Sequence, residues 1–248
     1  MTGSRLILAG LLLTAGIMLS ACAAARPTTP GPSGDRGNLG ADLVRESARA
    51  LKELRTATRQ QILDYALEDA HAVIVLPGVY QAGFYYSIHG GNGVIVARTS
   101  NGGWGSPAFV GVGGAGFGLQ IGLEKQRLVL VVQERGMFED ILEHGLNFDV
   151  VAKYDALGVR EEAQRGSLTG NRPVAAFTDG VGLMAGVAMR GALLTLNQSL
   201  TEAYYGQGHG AAKAVMQSKE APGLEVFELW GALDVNLPRP RGDIIRSK

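Results

Sequence analysis

Glycines in the middle of the chain have the spacing of a nucleotide-binding loop. Gly111, Gly113 and Gly116 form G-x-G-x-x-G within the run VGVGGAGFGLQIG. That motif brings backbone close to a pyrophosphate and requires a helix directly after the glycines. Only about ten residues follow before the next apolar strand, and a crossover needs a dozen or more. Gly118 and Gly122 fall within that interval and would each cost a helix about 1 kcal/mol. A phosphate-binding loop is therefore disfavoured.

A strand accounts for these glycines better than a loop does. The glycines that we predict to be structural are Gly111, Gly113, Gly114, Gly116, Gly118 and Gly122. With a period of two, the last four lie on one face and the apolar residues between them on the other. The first two have the opposite parity, which a β-bulge at residues 113–114 would explain. A bare glycine face lets a second backbone approach closely, so valine at Gly116 or Gly118 is expected to damage folding.

The titratable side chains form no catalytic or metal-binding pattern. The four histidines lack zinc-site spacing; they are His71, His89, His144 and His209. The nucleophile motifs G-x-S-x-G and S-x-x-K are absent from the sequence. We therefore predict a protein that is not an enzyme and that binds neither a metal nor a cofactor. An enzyme remains the alternative if folding brings carboxylates or histidines together in a pocket.

Cys22 is the single cysteine, and its surroundings indicate lipidation. Arg5 precedes an apolar run at residues 6–19, and Leu19-Ser20-Ala21-Cys22 has the order of a bacterial lipobox. Residues 1–21 are thus predicted to be a lipoprotein signal peptide, removed before Cys22 is acylated. An ordinary cleaved signal and an uncleaved anchor are the alternatives. Ala23 after the cysteine favours the outer membrane of a Gram-negative source, with the folded part in the periplasm.

A flexible tether and an amphipathic helix follow the cysteine. Residues 22–41 are rich in Pro, Gly, Thr and Ser and have no apolar period. From Asp42, the predicted N-cap, the period is helical as far as a break at residues 56–58. Leu43, Val44, Leu51 and Leu54 fall on one side; the basic residues on the opposite side are Arg45, Arg49, Lys52, Arg55 and Arg59.

This basic side has two interpretations. It can contact anionic lipid head groups, or it can be the solvated outer face of a helix that packs its leucines on the domain. Trp104 likewise is either a membrane-interface residue or a core aromatic that covers glycines. The formal net charge of zero gives no overall attraction to nucleic acid.

Downstream of the helix, short segments with a period of two predict a sheet. Strands are expected at residues 72–76, 93–98, 127–133, 147–153 and 173–178, with a late hairpin at 182–196. Helices are expected at residues 136–145 and 201–205, and residues 224–233 are either a helix or a strand. The fold class is α+β, with N-terminal helices packed on a glycine-rich, largely antiparallel β-sheet.

Several segments together resemble one family. Residues 93–122 are similar to the central signature of the SYLF lipid-binding domain, residues 70–84 to its first strand and turn, and residues 182–192 to its late glycine hairpin. Tyr204-Tyr205-Gly206 resembles its closing element. The resemblance assigns residues 42–217 to a SYLF-like domain and residues 218–248 to a partly disordered extension. Residues 147–172 carry more charge than the family pattern does.

The resemblance implies binding to membrane lipids. In eukaryotic members of the family these lipids are phosphoinositides, yeast members also bind actin, and an N-terminal amphipathic helix is the membrane-contacting part. We therefore expect a non-catalytic envelope lipoprotein that binds membrane lipids, anionic head groups included. The alternative is a scaffold whose C-terminal extension recruits an envelope protein.

Overall fold

A computed structural model describes residues 33–57, 60–83, 86–117, 122–153, 173–178, 189, 191–206, 209 and 223–234. The predicted signal peptide, Cys22, most of the tether, Arg59, Gly118 and the first strand of the late hairpin lie outside these ranges. The helices are α1 (Ser33–Ala57), α2 (Gln60–Glu68), α3 (Arg135–His144), α4 (Gln198–Tyr205) and α5 (Leu224–Leu233), and residues 148–153 are also helical. The strands are β1 (Ala72–Gly83), β2 (Tyr86–Ala97), β3 (Ala108–Phe117), β4 (Gly122–Val132), β5 (Leu146–Asn147), β6 (Val174–Thr178) and β7 (Ala192–Leu196).

The strands form one antiparallel sheet in the order β5-β7-β3-β2-β1-β4-β6. Runs such as AVIVL at the start of β1 are apolar at every position because both faces of this half of the sheet are covered. Helices α1, α2, α4 and α5 pack on one face, while α3 and residues 148–153 pack on the other. The α+β prediction, with the N-terminal helix on the sheet, is confirmed.

Helix α1 packs on the sheet through the apolar stripe that the sequence indicates. Val44, Leu51 and Leu54 are fully buried or nearly so. The predicted N-cap at Asp42 is wrong, because the helix begins at Ser33 and includes residues 33–41 of the predicted tether. Gly40 explains the difference: a Cβ there would lie 2.9 Å from Cδ2 of Tyr204, so this glycine allows α4 to pack closely. Amino-acid composition alone does not distinguish a glycine at a helix contact from a glycine in a linker.

Two strand predictions are wrong in instructive ways. β1 does not stop at Pro77-Gly78; its pairing with β2 shifts register between Val75 and Gly78, and the strand continues to Gly83. A bulge accommodates a residue that cannot donate to the ladder. The strand predicted at residues 147–153 is instead a two-residue strand followed by helical residues 148–153.

The C-terminal segment predicted as a helix or a strand is helix α5. Leu229 and Leu233 are fully buried against α1, and the Trp230 indole donates to the carbonyl of Gly105 at 2.9 Å. The core therefore extends beyond residue 217. Within the described residues, no helix has the length and hydropathy to cross a bilayer.

Candidate functional site

The basic side of α1 is not a uniform cationic surface. Arg49 and Lys52 are solvent-exposed, as a lipid contact would require. Arg45 is partly exposed and pairs with Asp42 one turn earlier, Nη1 to Oδ1 at 2.6 Å. Arg59 lies outside the described residues. The electrostatic contribution available from the described part of this helix is therefore smaller than five aligned cations would provide.

Arg55 points into the structure rather than toward solvent. Its Nε donates to the nearly buried Asp64 carboxylate at 2.7 Å, and its side chain is only 18% exposed. Its Nη1 donates to the carbonyls of Ala232 and Asp234 at 2.8 and 3.2 Å. One guanidinium thus links α1, α2 and the C-terminal end of α5. Its prediction as a lipid-contact residue does not fit this geometry. A helical wheel shows which side of α1 Arg55 occupies, but it does not show that α2 and α5 lie beside it.

A second polar cluster joins α1, α4 and α5. The Tyr204 hydroxyl donates to Oε1 of Glu225 at 2.6 Å, and Arg45 Nη2 lies 3.8 Å from the other carboxylate oxygen. The Tyr204 ring packs edge-to-face on Phe109 in β3. Burial, and then the hydrogen bond to Glu225, raise the pKa of Tyr204 well above its ordinary value of 10.0. The tyrosine pair of the family resemblance is therefore a structural connection between the helices and the sheet.

Replacing Tyr204 by phenylalanine should remove this connection and lower the free energy of unfolding by about 1.5–3 kcal/mol at pH 7. A tyrosine whose pKa is raised by folding contributes stability below pH 10, and that contribution is lost as the pH rises above 10. Wild type should accordingly lose more stability than Tyr204→Phe above pH 10. Urea denaturation at pH 7, 10 and 11 measures both effects, with the exposed Tyr65→Phe as the control. Equal alkaline losses in wild type and Tyr204→Phe would contradict this account of the cluster.

Strand β3 contains four of the six predicted structural glycines and no bulge. It pairs with β2 without interruption from Ala108 to Phe117, so the bulge predicted at residues 113–114 is wrong. The predicted continuation of this strand to Gly122 is also wrong, since Gly122 begins β4 opposite Gly83. Gly111 and Gly113 therefore lie on one face of β3, and Gly114 and Gly116 on the other.

The glycines of β3 have different neighbours. A Cβ at Gly114 would lie 2.5 Å from Cα of Ala192 and would also collide with the Gly191 carbonyl oxygen. The backbone of β7 therefore lies close to β3 at this position. A Cβ at Gly113 would meet nothing within 4 Å. Gly113 instead leaves an open surface.

That open surface is the far half of the sheet on the face that α1 covers. Tyr80, Gly90, Gly113 and Leu193 are successive cross-strand partners on β1, β2, β3 and β7, so they share one face. Ile88 lies two residues from Gly90 on the same face. We call these five residues the exposed sheet face. Ile88 is 67% exposed, Tyr80 50% and Leu193 45%, which is unusual for large apolar side chains on one sheet.

One cation borders the exposed sheet face. Lys125 in β4 is the cross-strand partner of Tyr80, and its Nζ lies 5.5 Å from the centre of the Tyr80 ring. This is a cation–π contact at an exposed site, worth about 0.5–1 kcal/mol. The surface therefore combines apolar side chains, a bare glycine centre and a positive charge at its edge.

A groove of about 450 Å³ lies where the first half of α1 meets β2 and the start of α4. Its lining includes the carboxylates of Asp42 and Glu46 beside the apolar Leu39, Leu43 and Leu200. Asp42 and Glu46 are exposed, and the groove-lining residues described contain no histidine. The described lining residues therefore include no buried acid–base pair.

The histidines and Trp104 have structural surroundings. His89 is buried and His71 packs edge-to-face on Phe138; burial lowers the pKa of both, with Arg135 a second cause for His71. Among the residues the structure describes, no three His, Cys, Asp or Glu side chains are grouped to hold a metal. Trp104 is buried beneath the Arg98 guanidinium, 4.3 Å from the ring centre, so it is a core aromatic and not an interfacial one.

Comparisons with known proteins agree with the fold. Residues 113–235 match a family model described as Ysc84, Las17-binding protein actin regulator, and this match includes α5. Protein YSC84 of Saccharomyces cerevisiae is 30% identical over 176 residues, which are 66% of this chain and 37% of the yeast protein. SH3 domain-containing YSC84-like protein 1 of Xenopus laevis is 28% identical over 198 residues, 77% of this chain and 58% of the frog protein.

A further relative is LAS seventeen-binding protein 3 of Saccharomyces cerevisiae, 29% identical over 160 residues, 63% of this chain and 35% of that protein. The chain thus spans between about a third and three fifths of the length of these relatives. The fold class of the chain is α+β, with a glycine-rich antiparallel sheet between helices. The chain belongs to the Ysc84, or SYLF, family.

Proposed function

We propose that this protein is a non-catalytic, membrane-lipid-binding lipoprotein of the bacterial envelope, attached at two points. Acyl chains on Cys22 provide the anchor, and the exposed sheet face provides the second contact. The observation that carries the proposal is the exposure of Tyr80, Ile88 and Leu193 on one sheet face. A lipid surface would bury apolar side chains that otherwise remain in water.

The size of this surface fits an auxiliary contact. Full burial of a large apolar side chain contributes about 1.5–3 kcal/mol; Tyr80 and Leu193 are already about half buried, whereas Ile88 is 67% exposed. Together they supply a few kcal/mol, similar to the marginal binding of a single acyl chain. Stable membrane attachment generally takes two signals, so the domain contact and the Cys22 lipid complement one another.

The charges play a smaller part than the sequence indicates. Lys125 adjoins the exposed sheet face, while Arg49 and Lys52 lie exposed on α1. Each cation near an anionic surface adds about 1 kcal/mol, and salt screens this contribution. We therefore propose a preference for anionic lipid that is modest and salt-dependent.

The two attachments can be separated by removing the lipid. In the producing cell, Cys22→Ser should move most of the protein from the membrane fraction to the soluble fraction. The purified Cys22→Ser chain, from residue 22 onward, should still float with liposomes. Recovery should be several-fold higher on anionic than on zwitterionic vesicles in low salt, and nearly equal in high salt. No recovery on either vesicle would contradict lipid binding by the domain, and equal, salt-independent recovery would contradict the electrostatic part.

A protein scaffold is the second candidate. Leu224 and Phe227 are one turn apart on α5 and are 81% and 54% exposed. Such a pair on a helix can contact a partner protein. Deleting the C-terminal segment would remove buried core residues of α5, so surface substitutions are the better test. Leu224→Ser with Phe227→Ser should abolish in-cell cross-linking to a partner while leaving flotation unchanged, and unchanged cross-linking would exclude α5 as the contact.

The descriptions of the family model and the relatives name actin regulation and Las17 binding. These are properties of those proteins, and the present chain covers only part of their length. We do not extend actin binding to an envelope lipoprotein. The proposal shares with these relatives only the class of activity, which is binding and not catalysis.

A further inference from the structure

Bare backbone runs along the middle of the exposed sheet face. Gly90 and Gly113 are cross-strand partners on β2 and β3, and a Cβ added to either would meet nothing within 4 Å. Tyr80 and Leu193 flank this pair on β1 and β7, three strand spacings or about 14 Å apart. Gly111 lies two residues from Gly113 on the same face of β3. We call Gly90, Gly111 and Gly113 the glycine trough, whose walls are large apolar side chains.

The glycine trough opens into the groove beside α1. Asn92 lies two residues beyond Gly90 on the same face of β2, and it also lines the groove. It is the cross-strand partner of Gly111, and its Oδ1 lies 3.5 Å from the position of a Cβ added there. Leu43 and Leu200 continue the apolar wall into the groove. The trough and the groove therefore form one continuous depression, in which an aliphatic chain with a polar end can lie.

Charges of both signs lie near Asn92. Glu46 lines the groove, is exposed, and makes no hydrogen bond or ion pair within the described part of the chain. Asp42, one turn earlier, lines the groove too but is already paired within α1. Lys125 crosses Gly78, where an added Cβ would lie 2.6 Å from its Cε and 3.3 Å from its Nζ. Gly78 is the cross-strand partner of Asn92, so this ammonium lies over the strand next to the groove.

This pair of charges matches the head group of an aminophospholipid. A primary ammonium donates three hydrogen bonds and binds best to carboxylates, as Glu46 offers, while a phosphate pairs with a lysine such as Lys125. A choline head group has no N–H donor and is typically bound by aromatic rings, and none of the described groove-lining residues is aromatic. An anionic lipid without an amine would leave the Glu46 carboxylate unpaired. The site thus favours an amine that follows a phosphate.

We propose that the glycine trough and the groove together bind one aminophospholipid molecule, an inference that rests on the proposed lipid-binding function and specifies its ligand. One acyl chain lies along the trough between Tyr80 and Leu193. The ammonium of the head group donates to Glu46, and the phosphate pairs with Lys125. The domain then selects an individual lipid, in addition to any general attraction to an anionic surface.

Short-chain lipids that stay monomeric in solution test this site without a bilayer. Dihexanoyl phosphatidylethanolamine and dihexanoyl phosphatidylcholine have the same net charge and are titrated into the purified Cys22→Ser chain, with amide shifts followed by NMR. The ethanolamine lipid should bind at least fivefold more tightly. The amides of Asn92 and Gly113 should shift, and that of Asp140 on α3 should not. Equal affinities, or shifts confined to other surfaces, would overturn the proposal.

Two sets of variants separate the head group from the chain. Asp42→Asn with Glu46→Gln should weaken the ethanolamine lipid at least fivefold and leave the choline lipid unchanged, whereas the exposed control pair Glu68→Gln with Asp69→Asn should alter neither. Gly113→Val fills the trough at a position with open space and should weaken both lipids at least fivefold. An ethanolamine preference that survives the first pair would overturn the proposal, as would wild-type binding of both lipids by Gly113→Val.

Two further measurements distinguish this inference from the function on which it rests. Phosphoethanolamine without acyl chains should bind at least tenfold more weakly than the short-chain lipid, and equal binding would assign the groove to a soluble ion and overturn the lipid site. Flotation on anionic vesicles without an ethanolamine preference in solution would overturn this inference alone. No recovery on any vesicle would overturn the proposed function together with it.

Discussion

Valine at Gly114 is expected to lower the free energy of unfolding by more than about 3 kcal/mol, while valine at the adjacent Gly113 is tolerated. At Gly114 a Cβ would lie 2.5 Å from Cα of Ala192, so β7 would have to move away from β3. Ordinary overpacking of side chains costs about 1–3 kcal/mol, and displacing backbone in a sheet costs more. At Gly113 nothing lies within 4 Å, and a β-branched residue suits a strand.

Equilibrium denaturation of the two variants compares neighbouring positions in the same strand. Gly113→Val should keep wild-type stability or gain up to about 1 kcal/mol, since glycine weakens strand interiors. Gly114→Val should unfold at a much lower denaturant concentration or fail to fold. Similar losses at both positions would mean that the glycines are required for another reason, such as backbone contact with a ligand. Added nucleotide should stabilise neither variant nor the wild type.

Alanine at Arg55 is expected to cost about 3–5 kcal/mol, the range for breaking one side of a buried ion pair. The substitution leaves the Asp64 carboxylate nearly buried without its cation, and it also removes the hydrogen bonds to the Ala232 and Asp234 carbonyls. The junction of α1, α2 and α5 would lose its main polar connection. Thermal and urea denaturation of the full mature chain measure the effect.

The matched control is Lys52→Ala, an exposed cation on the same helix, which should change stability by no more than about 0.5 kcal/mol. A double variant, Arg55→Met with Asp64→Leu, removes both charges and should recover most of the loss. If Arg55→Ala were as stable as Lys52→Ala, the ion pair with Asp64 would not stabilise the fold. Arg55 would then belong to the solvated basic side that the helical period indicates.

Local sequence patterns predict well those helices and strands whose apolar residues keep one regular spacing. The apolar stripe of α1 and the helix at Arg135–His144 follow from hydrophobic spacing, and β6 follows from its turn signals. Residues that act across elements are not predictable in this way. Arg55 occupies the basic side of a helical wheel, yet its partners lie on α2 and at the C-terminal end of α5, one of them 177 residues away in sequence.

The glycines show most clearly that contacts between elements cannot be predicted from local sequence. Composition alone does not separate the helix-contact Gly40 from a linker glycine, or the crowded Gly114 from the open Gly113. The exposed sheet face is not predictable from a single segment because its members come from four strands, and cross-strand register decides that Tyr80 and Leu193 share a face. Alternation within each strand was a usable signal, since Tyr80 and Ile88 alternate with buried Gln81 and His89.

The measurement that most directly tests the lipid-contact account is liposome flotation of paired apolar variants. Ile88→Ser with Leu193→Ser alters the exposed sheet face, and Leu224→Ser with Phe227→Ser removes comparable exposed apolar area from α5. Both are made in the Cys22→Ser chain, and their denaturation midpoints are checked against it. We expect the first pair to lower recovery at least tenfold and the second to leave it unchanged. Equal recovery of the two pairs, or a loss confined to the α5 pair, would contradict lipid contact through the sheet.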